Sequence, residues 1–159
     1  MDMLSLSADL PEVDVDAGDV LVREGGAAGA IWVLVEGSLC VRKGRTQVNT
    51  IAEPGAIVGE ISVLLDRRHG ATVEALERSR LRHAVDGAAF LNGDAQITRQ
   101  VAIGLAERLN YVTAYLADLK HQYGDAPGLS MVNDVLGRLA SQQTSSARPG
   151  SARDPDPEY

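Results

Sequence analysis

From residue 13 to about residue 85, short apolar runs alternate with turns that contain glycine. The runs are rich in Val, Ile and Leu, and they cover residues 20–22, 31–35, 38–41, 48–51, 71–73 and 81–85. Strand-length apolar runs at regular spacing, interrupted by glycine, are typical of small all-β folds. This part of the chain is therefore predicted to form a jelly-roll-like β-roll.

The hydrophobic period changes after Val85, where helical spacing replaces the short apolar runs. Asp86 is placed to cap a short helix, and Asp94 is placed to cap a long helix that runs to about Tyr123. The chain as a whole is therefore predicted to be mainly β with C-terminal helices.

Apolar residues in the long helix recur at alternating steps of four and three, which is a heptad pattern. These residues are Leu105, Leu109, Val112, Leu116, Leu119 and Tyr123. Two such stripes can bury each other, so we expect a parallel homodimer through the helix 94–123. The alternative is that the stripe packs on the protein's own sheet, a role for which Ile97 and Val101 are better suited.

The last part of the chain holds one more helical pattern. Residues 126–128, Ala-Pro-Gly, end the long helix, and Ser130 caps an amphipathic helix that ends near Gln142. Residues 143–159 have almost nothing to bury and are predicted to be disordered. The predicted organisation is an N-terminal segment 1–12, a β-roll with its short helices 13–92, two helices 93–142 and a tail.

The 159 residues are enough for one domain with appended helices. The formal net charge of −7 disfavours nucleic acid and anionic lipid as partners. Cys40 is the single cysteine, which excludes an internal disulfide, and the first residues do not resemble a secretory leader. No apolar run reaches the roughly 20 residues that a membrane span needs. We therefore expect a cytoplasmic protein with no nucleic-acid or membrane partner.

The most informative segment is residues 54–75, in which a glycine turn leads into a short helix and a strand follows. Gly59 precedes the helix, and exposed amides at the start of a helix can bind a phosphate. Glu60 lies beside these amides and can accept a hydrogen bond from a ribose hydroxyl. The segment therefore indicates a site for a ligand that carries both a phosphate and a ribose.

Residues 59–64, Gly-Glu-Ile-Ser-Val-Leu, and residues 71–75, Ala-Thr-Val-Glu-Ala, resemble the phosphate-binding cassette of cyclic-nucleotide-binding domains. These domains occur in catabolite activator proteins, cyclic-nucleotide-dependent kinase regulatory subunits and cyclic-nucleotide-gated channels. Their cassette reads Gly-Glu-Leu/Ile-Ala-Leu, then a short loop, then Arg-Ala/Ser/Thr-Ala-x-Val-x-Ala. Residues 17–25 and 31–37 are similar to the family's early strands, so the resemblance covers roughly residues 13–123. It implies a β-roll with a short cassette helix and a long dimerisation-type helix.

The resemblance also implies a ligand, cAMP or cGMP, and a set of residues that bind it. In the family the glutamate holds the ribose 2′-hydroxyl, an arginine pairs with the cyclic phosphate, and helix amides complete the phosphate site. The long helix covers the base, where Thr113 is placed to hydrogen-bond a purine edge. The predicted ligand-binding residues are Gly59, Glu60, Ile61, Ser62, Arg68, His69, Gly70, Ala71 and Thr113.

Two tyrosines of the same helix have two explanations. Tyr111 and Tyr115 are placed to stack on the base, or they cover hydrophobic surface and keep their hydroxyls in water.

Two adjacent positions after the loop depart from the family pattern, because His69 stands where arginine is usual and Gly70 stands where a small or hydroxylated residue is usual. A guanidinium offers a phosphate a planar and permanently charged pair of donors, whereas an imidazole offers one directed donor and titrates near neutrality. Weaker phosphate binding is expected unless a slipped loop brings Arg67 or Arg68 into the pocket, or a bound phosphate keeps His69 protonated. Arg67 and Arg68 are equally well explained as solvated loop charges.

No residues are arranged for catalysis or for metal binding. Cys40 lies in an apolar strand pattern without a basic neighbour, which is typical of a buried structural thiol. His83 and His121 have no metal-ligand spacing with each other or with His69. The glycine-rich residues 25–29 lack the lysine of a P-loop and are predicted to be a turn. We therefore expect neither an enzyme nor a metal site.

The sequence thus indicates a sensor for cAMP or cGMP that acts as a regulatory module, with a protein effector as a possible partner. The alternative is a degenerate cyclic-nucleotide-binding fold that serves protein interaction or dimerisation and no longer binds nucleotide well. A DNA-binding regulator is disfavoured, because the acidic tail offers no winged helix-turn-helix.

Overall fold

Two four-stranded antiparallel sheets form the centre of the computed structural model, which describes residues 1–124 and 129–144. The strands are β1 (Glu12–Val15), β2 (Val20–Val22), β3 (Ile31–Glu36), β4 (Leu39–Lys43), β5 (Thr46–Ile51), β6 (Ile57–Val58), β7 (Thr72–Ala75) and β8 (Ser79–Ala84). One sheet has the strand order β1-β8-β3-β6, and the other has the order β2-β7-β4-β5. This arrangement confirms the predicted β-roll.

One helix precedes the strands, one lies between β6 and β7, and three follow β8. They are α1 (Met3–Leu6), α2 (Glu60–Leu65), α3 (Gly87–Gly93), α4 (Ala95–Tyr123) and α5 (Ser130–Thr144). The predicted caps are present, because the Asp86 carboxylate accepts from the Ala89 amide at 2.9 Å and the Asp94 carboxylate accepts from the Gln96 amide at 2.7 Å. The mainly β fold with C-terminal helices is therefore confirmed.

Strand β3 shows how the alternation of side chains builds two cores. Trp32 and Leu34 pack in a cluster that contains residues from both sheets. Ile31 and Val33 project to the other side and belong to a second cluster with helical residues such as Leu91 of α3 and Val101 of α4. Because successive side chains of a strand point to opposite faces, this one strand is apolar on both faces and is covered on both.

The chain divides into two compact units, Met1–Leu105 and Ala106–Tyr159. The first contains the roll, α1 to α3 and the start of α4, where Ile97 and Val101 are 6% and 4% exposed. The second contains the rest of α4 and α5. Of the predicted tail, residues 145–159 lie outside the described residues, as does the predicted helix break at 126–128.

No helix within the described part of the chain is both long enough and apolar enough to span a bilayer.

Candidate functional site

The site predicted from the sequence begins at Gly59, between β6 and α2. Gly59 has a φ of 96°, which lies in the left-handed region that favours glycine. A Cβ atom at this position would lie 2.6 Å from the carbonyl oxygen of Ala30, closer than real contacts allow. Two independent constraints therefore favour glycine here: the positive φ and the close approach of the Ala30 carbonyl oxygen.

Glu60 is the first residue of α2, and its side chain is only 3% exposed. Carboxylates are rarely buried to this degree, because removing a charge from water is costly unless polar groups replace the water. A carboxylate at this position therefore needs polar groups around it. This buried carboxylate stands at the position of the glutamate in the family's cassette.

Ser62 and His69 are in direct contact across the α2 segment. The Oγ atom of Ser62 lies 3.0 Å from Nδ1 of His69, and Ser62 is 8% exposed while His69 is half-buried. A serine hydroxyl can donate to a neutral imidazole or accept from a protonated one, so this contact can form in either charge state. The structure thus brings together two of the predicted site residues through their side chains.

The loop that carries His69 is attached to the turn after β2 by its backbone. The amide of Gly25 donates to the carbonyl oxygen of His69 at 2.8 Å, and the amide of His69 donates to the carbonyl oxygen of Gly26 at 3.0 Å. Arg68 adds a third contact, from Nη1 to the carbonyl oxygen of Gly25 at 3.0 Å. The position of His69 is therefore set by a turn more than 40 residues earlier in the chain.

The attachment of the His69 loop to Gly25 and Gly26 was not predicted from the sequence. Residues 25–29 were predicted to be a turn only, and the sequence pattern gave them no part in the site. The pair Gly25 and Gly26 was the available signal, since φ at Gly25 is 77° and a Cβ at Gly26 would lie 2.8 Å from the Arg23 carbonyl oxygen. Two adjacent glycines that cannot be replaced without strain mark a turn with a fixed shape.

The other predicted residues are placed as follows. Ile61 is 48% exposed on α2, Gly70 is exposed in the loop, and the half-buried Ala71 precedes β7. Residues 59–71 thus form one local segment, from Gly59 through α2 and the loop to the start of β7. Thr113 lies on α4 in the second unit, where its side chain is half-buried.

The remaining candidate residues lie apart from this segment in sequence. Cys40 is buried at 2% exposure and has a free thiol. His83 stacks on Trp32, with ring centroids 3.8 Å apart and planes 11° from parallel. Among the described residues, no group of three or more His, Cys, Asp and Glu side chains is positioned to hold a metal ion.

Comparison with solved structures finds the same fold in several proteins. The N-terminal domain of a transcriptional regulator from Streptomyces coelicolor A3(2) is 25% identical, with a TM-score of 0.50 over 68% of this chain and 81% of that one. A structure from a bacterial cyclic-GMP-dependent signalling pathway that regulates phytopathogenesis is 21% identical, with a TM-score of 0.57 over 67% and 91%.

A third structure, cAMP-bound PfPKA-R (141-441), is 18% identical with a TM-score of 0.52. The alignment covers 69% of this chain but only 44% of that protein's chain, so this chain spans less than half of it. Comparison with curated protein sequences gives no significant match.

The sequence itself matches a protein family. The match is to the cyclic nucleotide-binding domain family and runs over residues 12–92, which is more than half of the chain and includes all of β1 to β8, α2 and most of α3. The fold, the cassette segment and the buried glutamate agree with it. This chain therefore belongs to the cyclic nucleotide-binding domain family.

Proposed function

We propose that this protein is a cytoplasmic regulatory module that binds cAMP or cGMP and transmits the occupied state to a protein effector. The observation that carries the proposal is Glu60, a carboxylate that is 3% exposed at the start of the cassette helix. A ribose 2′-hydroxyl supplies a donor for such an acceptor, and a hydrogen bond to a charged group is among the stronger ones available.

The phosphate end of the ligand is assigned to the loop between α2 and β7. His69 occupies the position of the family arginine, and its backbone is held by Gly25 and Gly26. Arg68 donates to the Gly25 carbonyl oxygen, so its guanidinium supports the loop in this state. On this basis His69, and not Arg68, is the residue that contacts the cyclic phosphate.

Isothermal titration calorimetry with cAMP and with cGMP tests the proposal, and 5′-AMP is the control. Saturable heat with at least one cyclic nucleotide and weaker or absent binding of 5′-AMP is the expected result. If neither cyclic nucleotide binds at millimolar concentration, the proposal is wrong and the degenerate alternative stands. Membership of the family does not favour that alternative.

We also propose that the protein is a parallel homodimer through the helix 94–123. Leu109 and Val112 of the heptad stripe are 42% and 46% exposed, while Leu105, Leu116 and Leu119 are half-buried. Leu105 also packs against the cluster that contains Ile97 and Val101. Burial of the exposed Leu109 and Val112 side chains against a partner would be favourable, because apolar surface gains free energy when it leaves water. A second copy of the same stripe is complementary to it.

A further inference from the structure

Two of the positions at which the cassette of this chain departs from the family pattern are in contact with each other. The family has alanine where this chain has Ser62, and arginine where it has His69. Ser62 Oγ and His69 Nδ1 are 3.0 Å apart. The side chain of an alanine at position 62 would have no polar atom and would leave Nδ1 of the histidine without this partner. The two departures are therefore linked by a specific interaction.

The contact also orients the imidazole ring. The backbone of His69 is fixed through its amide and its carbonyl by Gly26 and Gly25. Ser62 binds Nδ1, which is one of the two polar atoms of the ring, so Nε2 is the atom left to meet a ligand. Backbone and side chain together thus set both the position of the ring and the direction of Nε2.

We propose that Ser62 and His69 form a single recognition unit for the cyclic phosphate, in which His69 donates from Nε2 and Ser62 is a positioning residue. This rests on the proposed function. When the ring is neutral, the Ser62 hydroxyl donates to Nδ1, and the proton of the ring is on Nε2. When the ring is protonated, Nδ1 donates to Ser62 Oγ, and Nε2 still carries a proton. Both forms present a donor to an anion.

The unit differs from an arginine in its dependence on pH. A bound anion favours the protonated imidazole, so binding takes up a proton and tightens as the pH falls through the range in which an imidazole titrates. Charged side chains on the elements next to His69 contribute to the local field. They are Asp66, Arg67 and Arg68 on its own loop, Glu60 on α2, Arg23 and Glu24 after β2, and Glu74 on β7.

Two of the acidic groups have partners outside the loop. Glu74 pairs with Arg42 at 2.6 Å, and the Glu24 carboxylate accepts from the Gly44 amide at 2.8 Å. Because Glu24 and Glu74 have partners of their own, neither of them is required to neutralise His69.

Calorimetry with cAMP and cGMP between pH 6 and pH 8 tests the unit by a double-mutant cycle. Ser62→Ala is expected to weaken binding by about tenfold and to flatten its pH dependence, as the loss of one hydrogen bond to a charged group would do. Ser62→Thr retains the hydroxyl and is expected to restore both. In a His69→Arg background, Ser62→Ala is expected to change affinity by less than about twofold, because the partner of the hydroxyl is gone.

An equal loss in both backgrounds, or an unchanged pH profile, overturns the positioning role of Ser62. If the parent protein binds neither nucleotide, the proposed function fails and the ligand role of the pair fails with it. Binding that survives while Ser62 and His69 prove independent overturns this inference alone.

Nitrogen-15 NMR of the imidazole rings gives a second readout that needs no ligand. At pH 8 the neutral ring of His69 is expected to carry its proton on Nε2 in the parent, and to become a mixture of tautomers in Ser62→Ala. His83 and His121 are internal references that should not change. A proton on Nδ1 in the parent, or no response to Ser62→Ala, contradicts the proposed arrangement.

Discussion

The Nη1 atom of Arg68 lies 3.0 Å from the carbonyl oxygen of Gly25, and this contact holds the guanidinium on the backbone of the turn after β2. The arginine nearest to the family's arginine position is thus engaged in supporting the loop. His69 is left as the residue at that position, and its substitution is the most direct test of the cassette.

His69→Arg is expected to tighten cyclic-nucleotide binding by about tenfold, because a guanidinium is always charged and offers two parallel donors to a phosphate. Calorimetry with cAMP and cGMP is the measurement. His121→Arg adds the same charge at an exposed position of α4 and should leave affinity unchanged. An unchanged or weaker affinity of His69→Arg would show that another residue, with Arg68 the first candidate, already fills the role.

Glu60→Ala is expected to weaken binding by about 1.5 to 3 kcal/mol, which is roughly 10-fold to 150-fold, because it removes a charge-assisted hydrogen bond to the ribose. Glu53→Ala removes an exposed carboxylate just before the cassette segment and is the control. Both variants are checked for folding by circular dichroism. Tight binding by a folded Glu60→Ala would remove Glu60 from the ligand site.

Gly59→Ala is expected to destabilise the fold by about 2 to 4 kcal/mol, through a strained φ and a clash with the backbone of Ala30. Gly18→Ala separates the backbone strain from the clash, because Gly18 has a similar φ of 89° but no atom would lie within 4 Å of the added Cβ. It is expected to cost only about 1 to 2 kcal/mol. Urea denaturation measures the free energy of unfolding of both variants. An equal decrease in the two would mean that the backbone near Ala30 moves to accommodate the added methyl group.

The double variant Leu109→Glu and Leu116→Glu is expected to give folded monomers, because unpaired carboxylates are not buried cheaply in an apolar seam. Light scattering at micromolar concentration measures the mass. Ala114→Glu and Ala117→Glu add the same charges at exposed positions outside the stripe and should leave the dimer intact. If the unmutated protein is itself a monomer, the stripe does not pair with a second copy.

The sequence predicted the features that depend on short stretches of chain. The alternation in β3 is a property of consecutive residues, and the caps at Asp86 and Asp94 act within three residues of themselves. Glu60 was identified by its motif, and its burial agrees with that assignment. These features can be read from the sequence because strand alternation and helix capping depend on interactions between residues close in the chain.

The contacts that position His69 were not predictable in this way. Ser62 and His69 are seven residues apart, with a helix end and a loop between them, and no periodicity brings their side chains together. Gly25 and His69 pair across 44 residues. Pairing at that range follows from how the sheets close, which is a property of the whole roll and not of any one segment.

The pairing of His69 with Gly25 and Gly26 also bears on how this pocket tolerates mutation. Each glycine is constrained in a different way, since Gly25 has a φ of 77° and a Cβ at Gly26 would meet the Arg23 carbonyl oxygen at 2.8 Å. A change at either position shifts the anchor of the loop while every residue assigned to the ligand stays the same. The robustness of the recognition loop is therefore limited by two residues that have no side chain.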